Sequence, residues 1–160
     1  MSARLAFHEA GHALAAQFLG RRVESVSIGP GGGEMRQEPL APGATDEEVK
    51  LGLVVVFAGP EAERYAPSQE RDEDDPWLTP QELVMLDAEP IVLGGPSDEA
   101  VIDHYEKRLG PEEVEDARAF AVEIVERLYR VGRLEQLADE LLWRTSLTGE
   151  DVERLLGVSA

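Results

Sequence analysis

Apolar residues fall into two kinds of run along this chain, and the spacing within each run predicts the element it forms. Leu5-Ala6-Phe7 and Ala13-Leu14-Ala15-Ala16-Gln17-Phe18-Leu19 are good or tolerable helix formers on either side of a short polar interruption, and Gly20 stops the run as a C-terminal glycine does. Val23-Glu24-Ser25-Val26-Ser27-Ile28 carries β-branched residues, with Val26 and Ile28 two apart, which predicts a short strand. Gly29-Pro30-Gly31-Gly32-Gly33 predicts a tight turn, with Met35-Arg36-Gln37 returning as the partner strand. Pro39 and Pro42-Gly43 then break the chain before Thr45-Asp46-Glu47-Glu48, where a Thr N-cap with Glu48 three residues on forms a capping box. The helix so opened carries Val49, Leu51, Leu53, Val54, Val55, Val56 and Phe57, apolar on nearly every side, so it is expected in the centre of the core. Gly59-Pro60 is expected to end it, with Pro60 starting a new helix over 61–66.

Residues 67–80 are acidic and punctuated by proline, which reads as an exposed loop that Trp77 pins down. Thr79-Pro80 is expected to open a short helix through Leu86, and Gly94-Gly95-Pro96-Ser97 closes the region, so that 67–96 stands apart as an insertion. Beyond it the spacing is helical over 98–109, 111–130 and 134–143, with Val114, Ala117, Ala121, Ile124 and Leu128 on one face of the second helix. A last helix over 152–156 is capped by Thr148, with Asp151 at the third position. No internal repeat is present. The expected fold is mainly α with a small β-hairpin, a single domain over 1–160 whose back half is an antiparallel helical bundle.

Composition narrows the chemistry. The 160 residues suffice to bury a core without staples, and there is no cysteine, which removes disulfides, thiolate nucleophiles and Cys-based zinc sites together. Fifteen Lys and Arg stand against 33 Asp and Glu, a formal charge of −18 that disfavours phosphate backbones and anionic lipid as partners. The glycines after Pro30 make no phosphate loop, since no Gly-Lys-Ser/Thr follows them. The N-terminus reaches its polar motif too soon for a signal peptide, and the longest apolar stretch, 51–58, is far short of a bilayer span. A cytoplasmic protein with no nucleic-acid or membrane partner is expected.

The polar interruption in the first helix is His8-Glu9-Ala10-Gly11-His12. Residues four apart share a helix face. His8 and His12 can each give a ring nitrogen to one tetrahedral metal at about 2.0–2.1 Å, which leaves Glu9 beside the open position rather than on the metal. Glu9 is then placed to take a proton from an activated water and hand it to a leaving amine. Gly11 costs about 1 kcal/mol against Ala in a helix, and its missing side chain lets another backbone approach.

Two histidines leave a zinc under-coordinated, so a third side chain must come from elsewhere. Asp98, Asp103 and His104 lie close together in the chain. Asp98 is the strongest candidate on physical grounds, because a carboxylate at a helix N-terminus is stabilised as an anion and a ligand must be ionised. An Asp beside Ser97 is also an ordinary N-cap.

Four segments carry a resemblance: Phe7-His8-Glu9-Ala10-Gly11-His12-Ala13, Val23-Glu24-Ser25-Val26-Ser27-Ile28-Gly29-Pro30, Phe57-Ala58-Gly59-Pro60-Glu61-Ala62-Glu63, and Thr145-Ser146-Leu147-Thr148-Gly149-Glu150-Asp151-Val152-Glu153. In this order they resemble the protease domain of the FtsH-type (M41) zinc metallopeptidases, most closely its stand-alone form lacking the AAA ATPase. The resemblance implies a helical bundle with a zinc-binding His-Glu-x-x-His helix, zinc as cofactor, and a third ligand in a Ser/Asn-Asp segment opening a later helix, which maps onto Asp98. The chain departs from that pattern where glycines follow Pro30, in the acidic 67–80 stretch, at Gly110-Pro111, and in having no nucleotide-binding motif.

Two functions of different classes follow. One is an ATP-independent zinc metallopeptidase acting on peptides or unfolded segments, alone, as a homo-oligomer or with a separate partner protein, with the 23–28 strand as an edge that holds substrate by strand addition. The other is a non-catalytic, zinc-containing helical binding protein that keeps a vestigial site. An intact Glu9 favours the first, since a purely structural zinc site has no use for it.

Overall fold

A computed structural model describes residues 2–38, 43–67 and 106–155. Helix α1 (Ala3–Phe18) opens on Ser2, whose hydroxyl accepts from the Leu5 N–H. It closes in a Schellman arrangement: Gly20, at φ +79°, donates to the Gln17 carbonyl while Arg21 donates to Ala16. Strands β1 (Val23–Gly29) and β2 (Gly32–Gln37) form an antiparallel hairpin. Helix α2 (Asp46–Glu63) begins with Thr45 accepting from the Glu48 N–H, as the capping box predicts. A helical turn at 106–109 leads into α3 (Pro111–Arg130), followed by α4 (Arg133–Arg144), β3 (Ser146–Thr148) and α5 (Gly149–Leu155). The start of α5 is a reciprocal cap, in which the Asp151 N–H donates to Thr148 Oγ1 and the Thr148 N–H donates to Asp151 Oδ2.

The chain is mainly helical with a small antiparallel sheet. α1 is the hub. Ala6 through Ala16 are buried on every face, because α2 and α4 cover the helix and the hairpin crosses it. α2 presents Leu53, Val54 and Val55 to the same core, and α3 adds the stripe Val114, Ala117, Ala121, Ile124, Val125 and Leu128. Burying side chains of this kind contributes about 1.5–3 kcal/mol each, so this shared core is what holds the polar motif in place.

Four expectations change. α2 does not end at Gly59-Pro60 but runs through to Glu63. Proline removes one helix hydrogen bond, at a cost of about 3 kcal/mol, and burial of Ala58, Gly59 and Ala62 around it offsets that loss. Among the described residues the sheet has three strands in the order β2-β1-β3, since Ser25, Val26 and Ser27 pair with Thr148, Leu147 and Ser146. Strand β1 is therefore central and no edge, which removes it as a strand-addition site. The back half is not a bundle of its own, because α3 packs mainly on α2 and α4 mainly on α1.

Among the described residues no helix is long and apolar enough to cross a membrane. The helix expected over 98–109 is seen in its last turn. The insertion at 67–96, with Trp77 and the 79–86 helix, lies outside the described residues apart from Pro67, as do Asp98, Asp103 and His104.

Candidate metal centre

The polar motif lies on α1, one turn and a half inside its start, at the point where the helix is most enclosed. His8 is 4% exposed, Glu9 1% and His12 0%. Burying three polar side chains is costly unless each is held by a partner, so the partners define the site.

The His12 ring has its Nδ1 2.7 Å from the Val55 carbonyl of α2. A carbonyl only accepts, so Nδ1 carries the proton and donates. The His8 ring has its Nδ1 2.5 Å from Glu63 Oε1, also on α2, and the other oxygen of Glu63 accepts from Arg4 Nε at 2.7 Å. Burial pushes the Glu63 carboxyl up. The hydrogen bond from His8, the charge of His8 and the Arg4 guanidinium outweigh that and hold it below the ordinary carboxylate value. An ionised Glu63 accepts, so His8 Nδ1 is a donor as well.

Both Nε2 atoms are thereby turned toward one another, 3.0 Å apart. Two ring nitrogens at this distance are held together by a proton carried on one of them, as a cationic His8 beside Glu63 supplies, or by a metal cation that both ligate. Two nitrogens at about 2.0–2.1 Å from a tetrahedral metal lie about 3.3 Å apart, so the observed pair fits two ligands of one ion. Ring orientation fixed through the far nitrogen is also how metal-binding histidines are held.

Glycines make the room. A Cβ on Gly59 would lie within 3 Å of the His12 ring, and one on Gly11 would lie 2.6 Å from the Ala58 carbonyl oxygen, so α1 and α2 meet here backbone to backbone. On the other side, β2 crosses the helix at Gly33, beside the Glu9 side chain.

The structure thus brings the His8 and His12 rings together and buries Glu9 on the same turn of α1, against Gly33. Among the described residues no group of three His, Cys, Asp or Glu forms a metal cluster. Sequence reasoning missed Glu63, Arg4, Gly33 and Gly59. Glu63 sits 55 residues from His8 in the chain. Its only signal was the demand that a ligand histidine have an acceptor at its other nitrogen.

No protein-family model matches this chain, and no curated protein is a significant match to it.

Proposed function

We propose that this chain is a zinc-dependent metallopeptidase of the FtsH-type (M41) kind, cleaving peptides or unfolded segments without an ATPase of its own. The observation that carries this reading is the convergence of His8 and His12 Nε2 at 3.0 Å, each ring fixed by an oxygen acceptor on α2, with Glu9 buried on the same turn of α1. The four resembling segments support it, and two of them supply the parts that meet: 7–13 the histidines and Glu9, 57–63 the Glu63 acceptor and Gly59.

His8, His12 and Asp98 would hold the metal. Bound zinc supplies Lewis acidity, polarising the scissile carbonyl and bringing the pKa of water down towards about 7. Glu9 takes the proton of the attacking water and returns it to the leaving amine. Glu63 and Arg4 hold the His8 ring by its Nδ1, so that its Nε2 is the nitrogen turned toward His12 and the one that would ligate. Among the described residues the longer edge strand is β2, which passes beside Glu9, so an extended peptide adds to the sheet there and not on β1.

The test is a peptide-cleavage assay on zinc-loaded protein. Wild type should cleave and Glu9→Gln should not, with zinc retained in both. Asp98→Ala should lose the metal. If Asp98→Ala binds zinc as tightly as wild type while Asp103→Ala or His104→Ala does not, another residue is the third ligand. A wild type that holds zinc and cleaves nothing across a broad peptide library favours the non-catalytic binding protein.

A further inference from the structure

Strand β2 enters the site without a side chain. Gly33 pairs with Ile28 on β1 and, by the pleat, shares a face with Met35 and Gln37, both of which are buried. A Cβ built on Gly33 would lie 2.6 Å from Glu9 Cγ, 2.8 Å from Cδ and 2.7 Å from Oε1. Its neighbours in the turn differ. Gly31 would meet nothing within 4 Å, and Gly32 is required by its own backbone, at φ +128°. The run of glycines therefore carries two separate demands, at 32 and 33, and the one at 33 is set by Glu9.

We infer that Gly33 is a positioning residue for the general base: the bare backbone of β2 is the wall against which the Glu9 stem rests, and it fixes where the carboxylate sits relative to His8 and His12. The inference rests on the peptidase reading. Glu9 is held on one side by its own helix and on the other by β2, so the strand that receives substrate also sets the base. Added bulk at 33 must displace Glu9 by about 1 Å to reach ordinary contact. A displacement of that size can cost about 100-fold in rate.

The experiment compares Gly33→Ala, Gly31→Ala and wild type, each as the full zinc-loaded chain. In Gly33→Ala, kcat should fall about 100-fold with KM unchanged and zinc content as in wild type. Gly31→Ala should match wild type throughout. A second readout needs no turnover: Gly33→Ala should lower the urea midpoint in the wild-type background and leave it unmoved in the Glu9→Ala background, because the overlapping atoms are then gone. A Gly33→Ala protein with wild-type kcat overturns the inference, and so does an equal midpoint loss, or unfolding, in both backgrounds. A zinc-loaded wild type that hydrolyses nothing instead sinks the peptidase reading itself.

Discussion

Helices α1 and α3 are of similar length and lie in the same core, yet they obey different rules. α3 sorts its residues by polarity: Val114, Ala117, Ala121, Ile124, Val125 and Leu128 go inside, and Glu112, Glu113, Glu115, Asp116 and Glu126 stay out. α1 is enclosed on all sides and takes His8, Glu9 and His12 in with it. A helix stabilised only by packing has no reason to do this, since three apolar residues of similar volume would avoid the desolvation cost. The difference teaches where to look for chemistry. On α3 the charges serve solubility and surface pairing, and on α1 they are arranged by four neighbouring groups, Arg4, Val55, Glu63 and the β2 backbone.

If α1 is a site and α3 is scaffold, the largest effect belongs to the base. Glu9→Gln should slow peptide hydrolysis by about 100-fold or more while the circular dichroism spectrum and zinc content hold. Next comes the acceptor on α2. Glu63→Ala should weaken zinc binding by about 10–100-fold, measured by competition with a chromophoric chelator, because the His8 ring loses the partner that orients it. Were zinc affinity unchanged in that variant, the Glu63 contact would be an ion pair of structural value only.

Substitution of the glycine that admits His12 tests packing directly. Gly59→Ala should destabilise the fold by about 1–3 kcal/mol, the range of an overpacked core, in a denaturant titration. The matching change on α3 is Glu126→Ala, which removes the exposed pair with Arg130 and should cost less than about 0.5 kcal/mol. Equal losses from the two would erase the distinction between the helices.

Much of α3 was legible in the sequence because its stripe is periodic, and its bounds agree with the pattern at both ends, 111 and 130. The hydrophobic α2 was legible through its cap at Thr45, but its end was not, since Pro60 obeys a local rule that tertiary packing overrides. β3 was invisible for a physical reason: three residues with one apolar side chain, Leu147, give no period, and their pairing to β1 is a long-range event. The same limit applies to the site. His8, Glu9 and His12 could be read from one helical turn, whereas the partners of the rings lie 55 and 43 residues away, on a helix whose own pattern says only that it is buried.

A smaller effect concerns pH at the far side of the sheet. The Asp151 carboxyl is held below its usual value, first by the Thr148 backbone N–H; desolvation opposes this, and the Thr148 side chain, Arg144 and Arg154 add to the lowering. A depressed carboxylate contributes its stability in full above the unfolded value near 3.8 and loses it as the pH falls through the lower folded value. Asp151→Asn should therefore flatten the acid limb of the stability profile without altering zinc content. An unchanged acid limb would mean that the cap adds nothing through charge.

The most direct test of the central claim is metal analysis of the purified full chain after zinc loading and desalting. Wild type and Glu9→Gln should each retain about one zinc per molecule, and His8→Ala and His12→Ala should retain far less while remaining folded. A wild type that retains no zinc, or His8→Ala and His12→Ala proteins that hold it as tightly as wild type, would contradict the account.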